Sequence, residues 1–353
     1  MNIPLHVTIR KLINDFINWL LSFANKNPNN NEFIDKDEIR SIIIVRPNYR
    51  IGNLIFLTPL INELAKHLPH AKVDIIVGMK LAGKILLPLP NVQKIIDIPR
   101  ELLLHPMDMY HFIKDVRAKK YDLAINIMGA STSSQIVTSL INARYKASYY
   151  NEKSWGKLTH TTPLKRLYNH IGLESLELIR LFDIQAPKEN LKLDIKLTKE
   201  EIQGAKEDLK SLLQNATITK QTKTIALFRN ARFDKKITDI WWEEWLNALY
   251  ELNKNILVID ILSPDIPTKL NDKVLEYSNK NLRALGAFFH ECDLYVSADT
   301  GPMHLAAASD AKVLALFNKT SIQAYGALGE KNKTIDINDL SVQDVAKITQ
   351  DFL

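Results

Sequence analysis

Leu294-Tyr-Val-Ser-Ala-Asp-Thr-Gly-Pro-Met-His-Leu-Ala-Ala-Ala308 passes from an apolar run through a tight loop into an alanine-rich stretch. It reads as strand, loop, helix. Gly301 permits a close or left-handed backbone, and Pro302 suits the first helical turn, where no N–H is needed. The unpaired amides and the roughly +0.5 charge of a helix N-terminus then make a cradle in which a diphosphate is the natural guest. An ordinary turn capped by Asp299 or Thr300 is the other reading of the same residues.

A second segment of the same kind lies near the other end of the chain. Ser41 to Val45 is an apolar strand, Arg46-Pro-Asn-Tyr-Arg-Ile-Gly-Asn53 a loop, and Leu54 to Leu68 an amphipathic helix followed by Pro69. Between the two segments stand Phe228-Arg-Asn230 and Asp234-Lys235-Lys236, the latter ahead of Trp241-Trp242. Together with Arg50-Ile-Gly-Asn53, Leu57-Thr-Pro59 and Asp299-Thr-Gly-Pro-Met-His304, this ordered set resembles glycosyltransferase family nine, the ADP-heptose:lipopolysaccharide heptosyltransferases and their relatives. The resemblance covers most of residues 41–330. It implies an inverting, metal-independent GT-B glycosyltransferase whose substrates are a nucleotide diphosphate sugar, such as ADP-heptose, and a glycolipid or surface-glycan acceptor. It also implies work in the cytoplasm, with a peripheral contact at the inner face of the inner membrane.

From Ser41 onward, strands and helices alternate as in doubly wound α/β domains. Strands are expected at Ser41–Val45, Val73–Val77, Lys94–Ile98 and Asp122–Ile127, with helices near Leu54–Leu68, Met107–Lys119 and Ser133–Asn142. A second set follows the Ala186-Pro-Lys-Glu189 region. Its strands are Thr224–Phe228, Asn255–Ile261, Leu294–Ser297 and Lys312–Phe317, and its helices Lys199–Leu213, Trp241–Leu252, Leu285–Glu291 and Pro302–Ala308. The expected plan is an acceptor-side Rossmann-like domain over residues 41–190 and a nucleotide-sugar domain over 191–353, facing a central cleft. Function belongs at the carboxyl ends of the strands.

Residues 1–40 stand apart. Ile9, Leu12, Ile13, Phe16, Ile17, Leu20, Leu21 and Phe23 fall at helical spacing opposite a polar face, and Asn25 to Asn31 reads as a linker. The amphipathic helix is too polar to span a bilayer, and no small-residue cleavage site follows it. It either lies on a membrane surface or docks on protein.

The rest of the chain excludes more than it names. At 353 residues, 46% hydrophobic and 24% charged, the chain can build two domains with cores of their own. The net charge of +6 suits an acidic partner, yet no zinc-finger spacing or basic run with interleaved aromatics points to nucleic acid. The single cysteine, Cys292, excludes an intrachain disulfide and a cysteine-rich metal site, and fits a buried small hydrophobe. Gly78 to Ile85 imitates a Walker A loop, but Ile85 stands where a hydroxyl must reach magnesium. There is no Gly-x-Gly-x-x-Gly and no His-Glu-x-x-His.

Charge grows on the departing diphosphate, so the donor half needs cations and dipoles. Thr300, Gly301, Met303 and His304 would offer amides behind Asp299, with Pro302 setting the helix start. The resemblance implies a phosphate-binding lysine at Lys235 or Lys236, and an acidic residue toward the ribose at about Asp265. Arg229 and Asn230, directly after a strand, are expected to face the cleft. His304 either meets phosphate or packs in the first helical turn. On the acceptor side, Arg46, Asn48, Arg50 and Gly52 lie in one loop and Ser131 in another. The stretch from Lys146 to Arg166 reads as an acceptor lid or a basic surface loop.

One departure from the family matters. The residue after Arg-Ile-Gly is there commonly an aspartate, thought to be the general base; this chain has Asn53. An amide cannot take that proton at neutral pH. Another group is then the base, or the acceptor needs little deprotonation, or the chain binds sugar nucleotides without turnover, or Asn53 was introduced by substitution.

Overall fold

The computed structural model describes residues 32–79, 83–98, 106–129, 131–149, 158–162, 167–214, 219 and 221–353. The expected amphipathic helix and linker of residues 1–31 lie outside them. So do Lys80–Ala82 of the Walker-like stretch and Lys153, Lys157, Lys165 and Arg166 of the basic one.

Two six-stranded sheets carry the chain, and every strand pairing in them is parallel. The first holds β1 (Ser41–Arg46), β2 (Lys72–Val77), β3 (Val92–Asp97), β4 (Tyr121–Asn126), β5 (Ala143–Tyr149) and β6 (His160–Thr162), in the order β3-β2-β1-β4-β5-β6. The second holds β7 (Lys223–Phe228), β8 (Ile256–Ile261), β9 (Leu275–Tyr277), β10 (Leu294–Ala298), β11 (Val313–Phe317) and β12 (Lys333–Asp336), in the order β12-β11-β10-β7-β8-β9. Counted from the first strand of each set, both follow the doubly wound order 3-2-1-4-5-6. The expected α/β class with two Rossmann-like halves is therefore what the chain builds. The order reverses between β1 and β4 and between β7 and β10, so each sheet has a ligand-binding crevice position at those carboxyl ends.

The central strands are covered on both faces, which is why they read as continuous apolar runs. Ile42 to Val45 and Leu294 to Ala298 are buried without interruption. By contrast β3, β9 and β12 alternate or mix polar residues and lie at or near sheet edges. Trp242, Trp245, Leu246 and Leu249 of the Asp239–Leu252 helix fill the core beneath β7, β8 and β10. Thr238 caps that helix by accepting from the Trp241 amide at 3.2 Å. Cys292 is buried, and burial pushes its thiol up.

The helix expected over Leu54–Leu68 is broken in two, Ile51–Ile55 and Thr58–His67, with a turn at Phe56 and Leu57. Pro59 is the cause: inside a continuous helix it has no N–H to give Ile55, and its ring meets the Ile55 carbonyl. The break has a topological consequence. The described residues form two compact units, one running from residue 32 to Tyr49 and taking up Leu60–Leu167 and Glu174–Pro187. The other comprises Arg50–Pro59, Tyr168–Leu173 and Lys188–Leu353. Thus the short helix carrying Gly52 and Asn53 clusters with the second sheet, not with the strand that precedes it.

Candidate active site

At the switch point of the second sheet, β10 runs into Asp299-Thr300 and the helix Gly301–Ala308. Thr300 is its N-cap, with extended backbone and a hydroxyl that accepts from the Met303 amide at 3.2 Å. Pro302 has no amide, and the His304 amide reaches back to the Thr300 carbonyl at 3.5 Å. Of the amides expected to face an anion over Thr300–His304, those of Met303 and His304 are thus engaged with Thr300.

The same point gathers a cation and a carboxylate. Lys235, on a 3-10 turn at Phe233–Lys235, sets its Nζ 2.6 Å from Asp299 Oδ2, and the Thr320 hydroxyl donates to that oxygen at 2.6 Å. Asp299 is buried, while the Lys235 side chain keeps 30% exposure. An ammonium has three donors, so the bond to Asp299 leaves two for a ligand. Lys236, the next residue, is exposed.

Of the two residues after β7, the structure separates the roles. Asn230 Nδ2 lies 3.2 Å from Ser263 Oγ and 3.3 Å from Asp265 Oδ2, joining the carboxyl ends of β7 and β8. Arg229 instead turns inward: its guanidinium bonds Asp260 at 2.9 Å, Asp239 at 2.7 Å and the Thr268 carbonyl at 2.9 Å. Arg229 and Asp260 are 3% and 1% exposed, and this buried pair fixes the loop instead of opening toward a ligand. The sequence signal was Asp260 itself, an acid inside an apolar strand, which requires a buried cation.

His304 resolves in favour of packing. A Cβ on Gly52 would stand 3.0 Å from His304 Cδ2 and 3.6 Å from Gly301 Cα. The imidazole also meets Phe56 edge-on at 4.6 Å and His170 at 6.5 Å between ring centroids. His170 Nε2 donates to the Gly326 carbonyl at 2.9 Å, and its Nδ1 accepts from the Gly172 amide at 3.0 Å, which fixes a neutral tautomer. Burial drives the His304 pKa down to about 3, with His170 and Lys235 adding to the fall and Asp299 opposing it. His304 Nδ1 has no hydrogen-bond partner among the described residues. The ring is a neutral spacer under Gly52. His170, Thr320 and Phe56 were invisible to motif reading because they arrive by long-range contacts.

In the first unit, Arg46 ends β1 and Ser131 precedes the helix Thr132–Leu140. The Ser131 hydroxyl pairs with Ser133 at 3.2 Å and does not cap that helix. The Asn48 carbonyl accepts from Gly78 at 3.2 Å, and a Cβ on Gly78 would sit 3.0 Å from that carbonyl. This close approach accounts for the first glycine of the Walker-like stretch. Arg50 belongs to the second unit, as the exposed N-cap position of the Ile51–Ile55 helix. Lys146 is not part of a lid: it lies in β5, buried, with Nζ on the Ser139 carbonyl at 2.8 Å. Among the described residues no cluster of three or more His, Cys, Asp or Glu is placed to hold a metal, and no helix is long and apolar enough to cross a membrane.

Two doubly wound sheets in succession, the second carrying a lysine–aspartate junction at a helix start on its switch point, define the GT-B class of glycosyltransferases. Residues 109–350 match glycosyltransferase family 9 (heptosyltransferase), and the chain belongs to that family. Lipopolysaccharide heptosyltransferase 3 of Escherichia coli is 25% identical over 295 residues, 76% of this chain and 81% of that one. A family 9 glycosyl transferase from Veillonella parvula superposes with a TM-score of 0.71 at 17% identity, covering 91% of this chain and 93% of its own. The E. coli heptosyltransferase WaaC with ADP gives 0.68 at 17% identity, covering 89% and 100%. E. coli ADP-heptose lps heptosyltransferase II gives 0.69 at 17%, covering 88% and 98%.

Proposed function

We propose that this glycosyltransferase carries a heptose or a related sugar from a nucleotide diphosphate, with ADP-heptose the first candidate, to a lipopolysaccharide core or another surface glycan, inverting the anomeric carbon. The observation that carries the reading is the Lys235 ammonium 2.6 Å from Asp299 at the start of the Gly301–Ala308 helix, within the family-matched region. As the bond from the sugar C1 to the β-phosphate oxygen breaks, its electron pair stays with the diphosphate. The two remaining N–H donors of Lys235 and the amides at Thr300 and Gly301 answer that charge. Asp299 and Thr320 hold the ammonium in place, and Met303 and His304 support the turn from behind. Asn230 and Asp265 face the nucleoside hydroxyls, while Arg229 stiffens their loop through Asp260.

The acceptor side is assigned to Arg46, Asn48, Arg50, Gly52 and Ser131, and Asn53 holds the position of the family's base. The relatives add support: WaaC of E. coli has been solved with ADP and with ADP-2-deoxy-2-fluoro heptose. The chemistry assigned here involves no resident cofactor or metal. It belongs at the cytoplasmic face of the inner membrane, where a lipid-linked acceptor is reached by peripheral contact. A protein that only binds sugar nucleotides, the other reading of Asn53, gains no support from these relatives. Thermal shifts with ADP, UDP and GDP, followed by mass spectrometry of transfer from the matching sugar nucleotides, test the proposal. Stabilisation by ADP above the other two is expected; no response to any of the three would refute it.

A further inference from the structure

Beneath the start of the Gly301–Ala308 helix lies a tyrosine whose buried hydroxyl has no hydrogen-bond partner among the described residues. Tyr295 is the second residue of β10, and it is 0% exposed. Strand alternation puts it on one face with Ser297. Leu294, Val296 and Ala298 take the opposite face and join the core under the Asp239–Leu252 helix. The Tyr295 ring packs on Phe289 of the Leu282–Glu291 helix, with 4.6 Å between ring centroids. A buried hydroxyl without a partner is costly, and a phenylalanine would fill the same space without that penalty.

Two hydroxyls stand beside the Tyr295 oxygen, those of Ser297 and Thr300, and both oppose the rise that burial gives its pKa. Their hydrogen bonds differ. A hydroxyl has one hydrogen to give and two lone pairs to fill. Ser297 gives its hydrogen to the Ala298 carbonyl at 2.9 Å, inside the sheet. Thr300, the half-buried N-cap, accepts from the Met303 amide at 3.2 Å and donates to none of the described residues. One lone pair and the hydrogen of Thr300 are therefore both open. Once Tyr295 donates to that lone pair, both acceptor positions are filled from within the protein. The Thr300 hydrogen is then left to point outward at the helix start.

We propose that Tyr295 is a positioning residue for the donor: its O–H, donated to Thr300 Oγ1, turns the single Thr300 hydrogen onto an anionic oxygen of the diphosphate. The inference rests on the transferase reading in taking that anion to be the donor's. A hydroxyl that itself accepts two hydrogen bonds is a stronger donor, because the bonds of a chain polarise one another. Ligand and buried tyrosine are thereby coupled. The diphosphate fixes the Thr300 hydrogen, and with it the lone pair that completes Tyr295.

The experiment titrates ADP and adenosine into the full-length chain by calorimetry, with melting temperatures measured alongside. Tyr295→Phe deletes an unpaired hydroxyl, so the ligand-free protein should melt at the same temperature or higher. Its ADP affinity should fall about three- to tenfold, while adenosine affinity holds. In a Thr300→Ala background Tyr295→Phe should no longer weaken ADP, because no hydroxyl remains to be turned. In a Thr300→Ser background, which keeps the hydroxyl, the full loss should return. A role through packing alone would give the same loss in every background, and that result would overturn the proposal. So would unchanged ADP affinity in Tyr295→Phe, or equal losses for ADP and adenosine. If Thr300→Ala does not fold, the comparison of ADP with adenosine in Tyr295→Phe still decides. A parent that binds no ADP would refute the donor reading and this inference with it; a parent that binds ADP and ignores Tyr295→Phe would refute the inference alone.

Discussion

Gly52 and His304 meet so closely that a methyl group on the glycine would stand 3.0 Å from the imidazole Cδ2. The contact locks the Ile51–Ile55 helix, which bears Asn53, onto the helix that begins at Gly301. The second unit thereby carries Asn53 and the helix start proposed to face the diphosphate on one seam. His304, held edge-on by Phe56 and buried, has little room to retreat. Gly52→Ala should cost about 1–3 kcal/mol, as overpacking does in a filled core. In a His304→Ala background the same change should cost much less, and a double-mutant cycle by urea denaturation measures the difference.

Lys235 and Lys236 are neighbours with different settings, so their alanine variants should differ. Lys235→Ala removes the ammonium beside Asp299 and should weaken ADP about tenfold or more while leaving adenosine nearly unchanged. Lys236→Ala, at an exposed position, should shift ADP affinity by less than about threefold. Calorimetric titration of both nucleotides into both variants is the check. Equal losses for ADP and adenosine in Lys235→Ala would mean that the lysine acts through folding.

Arg229 makes a prediction about stability instead of binding. Removing one partner of a buried ion pair leaves the other charge uncompensated, at about 3–5 kcal/mol. Arg229→Met should therefore unfold at clearly lower urea than the parent, since Asp260 is 1% exposed. Arg229→Met with Asp260→Leu should recover much of the loss. Urea midpoints of the single and double variants decide whether the pair is structural.

These cases show what the chain discloses before it is folded. The central strands were legible because burial on both faces demands unbroken apolar runs such as Ile42–Val45 and Leu294–Val296. The helix start at Gly301 was legible because glycine and proline there have local, steric reasons. Strands such as β5 were not: Ala-Arg-Tyr-Lys-Ala-Ser-Tyr149 looks like a basic loop until Lys146 finds the Ser139 carbonyl across a turn. Nor was the seam at His304, whose neighbours Gly52, Phe56 and His170 come from distant parts of the sequence. Motif reading places residues in order along a chain, and partners such as Thr320 on Asp299 become visible only when the sheet brings their loops together.

Acid should act on this seam. The folded His304 pKa is about 3, against an ordinary value of 6.5, because burial disfavours the imidazolium. Below about pH 6.5 the unfolded chain takes up a proton that the folded one refuses, so the unfolded state binds more protons and stability falls as pH drops toward 3. The loss should begin between about pH 7 and 5, above the range in which carboxylates titrate. His170, whose pKa burial also lowers, contributes in the same direction. His304→Gln should flatten that part of the curve, and urea midpoints followed by tryptophan fluorescence across the range test it. A parent and variant with parallel curves would show that His304 is protonated in the folded protein.

Asn53 separates binding from chemistry. It lies in the first turn of the Ile51–Ile55 helix, whose N-cap residue Arg50 makes no side-chain cap bond. An amide and a carboxylate have nearly the same shape, and an acid in the first helical turn is favoured by the helix dipole, so Asn53→Asp should leave the fold intact. During attack, however, a carboxylate alone can accept the acceptor's proton. If Asn53 stands in for a lost base, the Asp variant should transfer sugar faster by ~10²–10⁴-fold, the usual worth of a general base, with donor affinity little changed. If the base lies elsewhere, a new negative charge in the helix packed against the turn proposed to face the diphosphate should slow transfer or weaken the donor instead. Turnover of both forms on the same acceptor, with kcat and KM separated, distinguishes the two. An Asp variant no faster than the parent would remove the lost-base reading and direct the search to other carboxylates of the site.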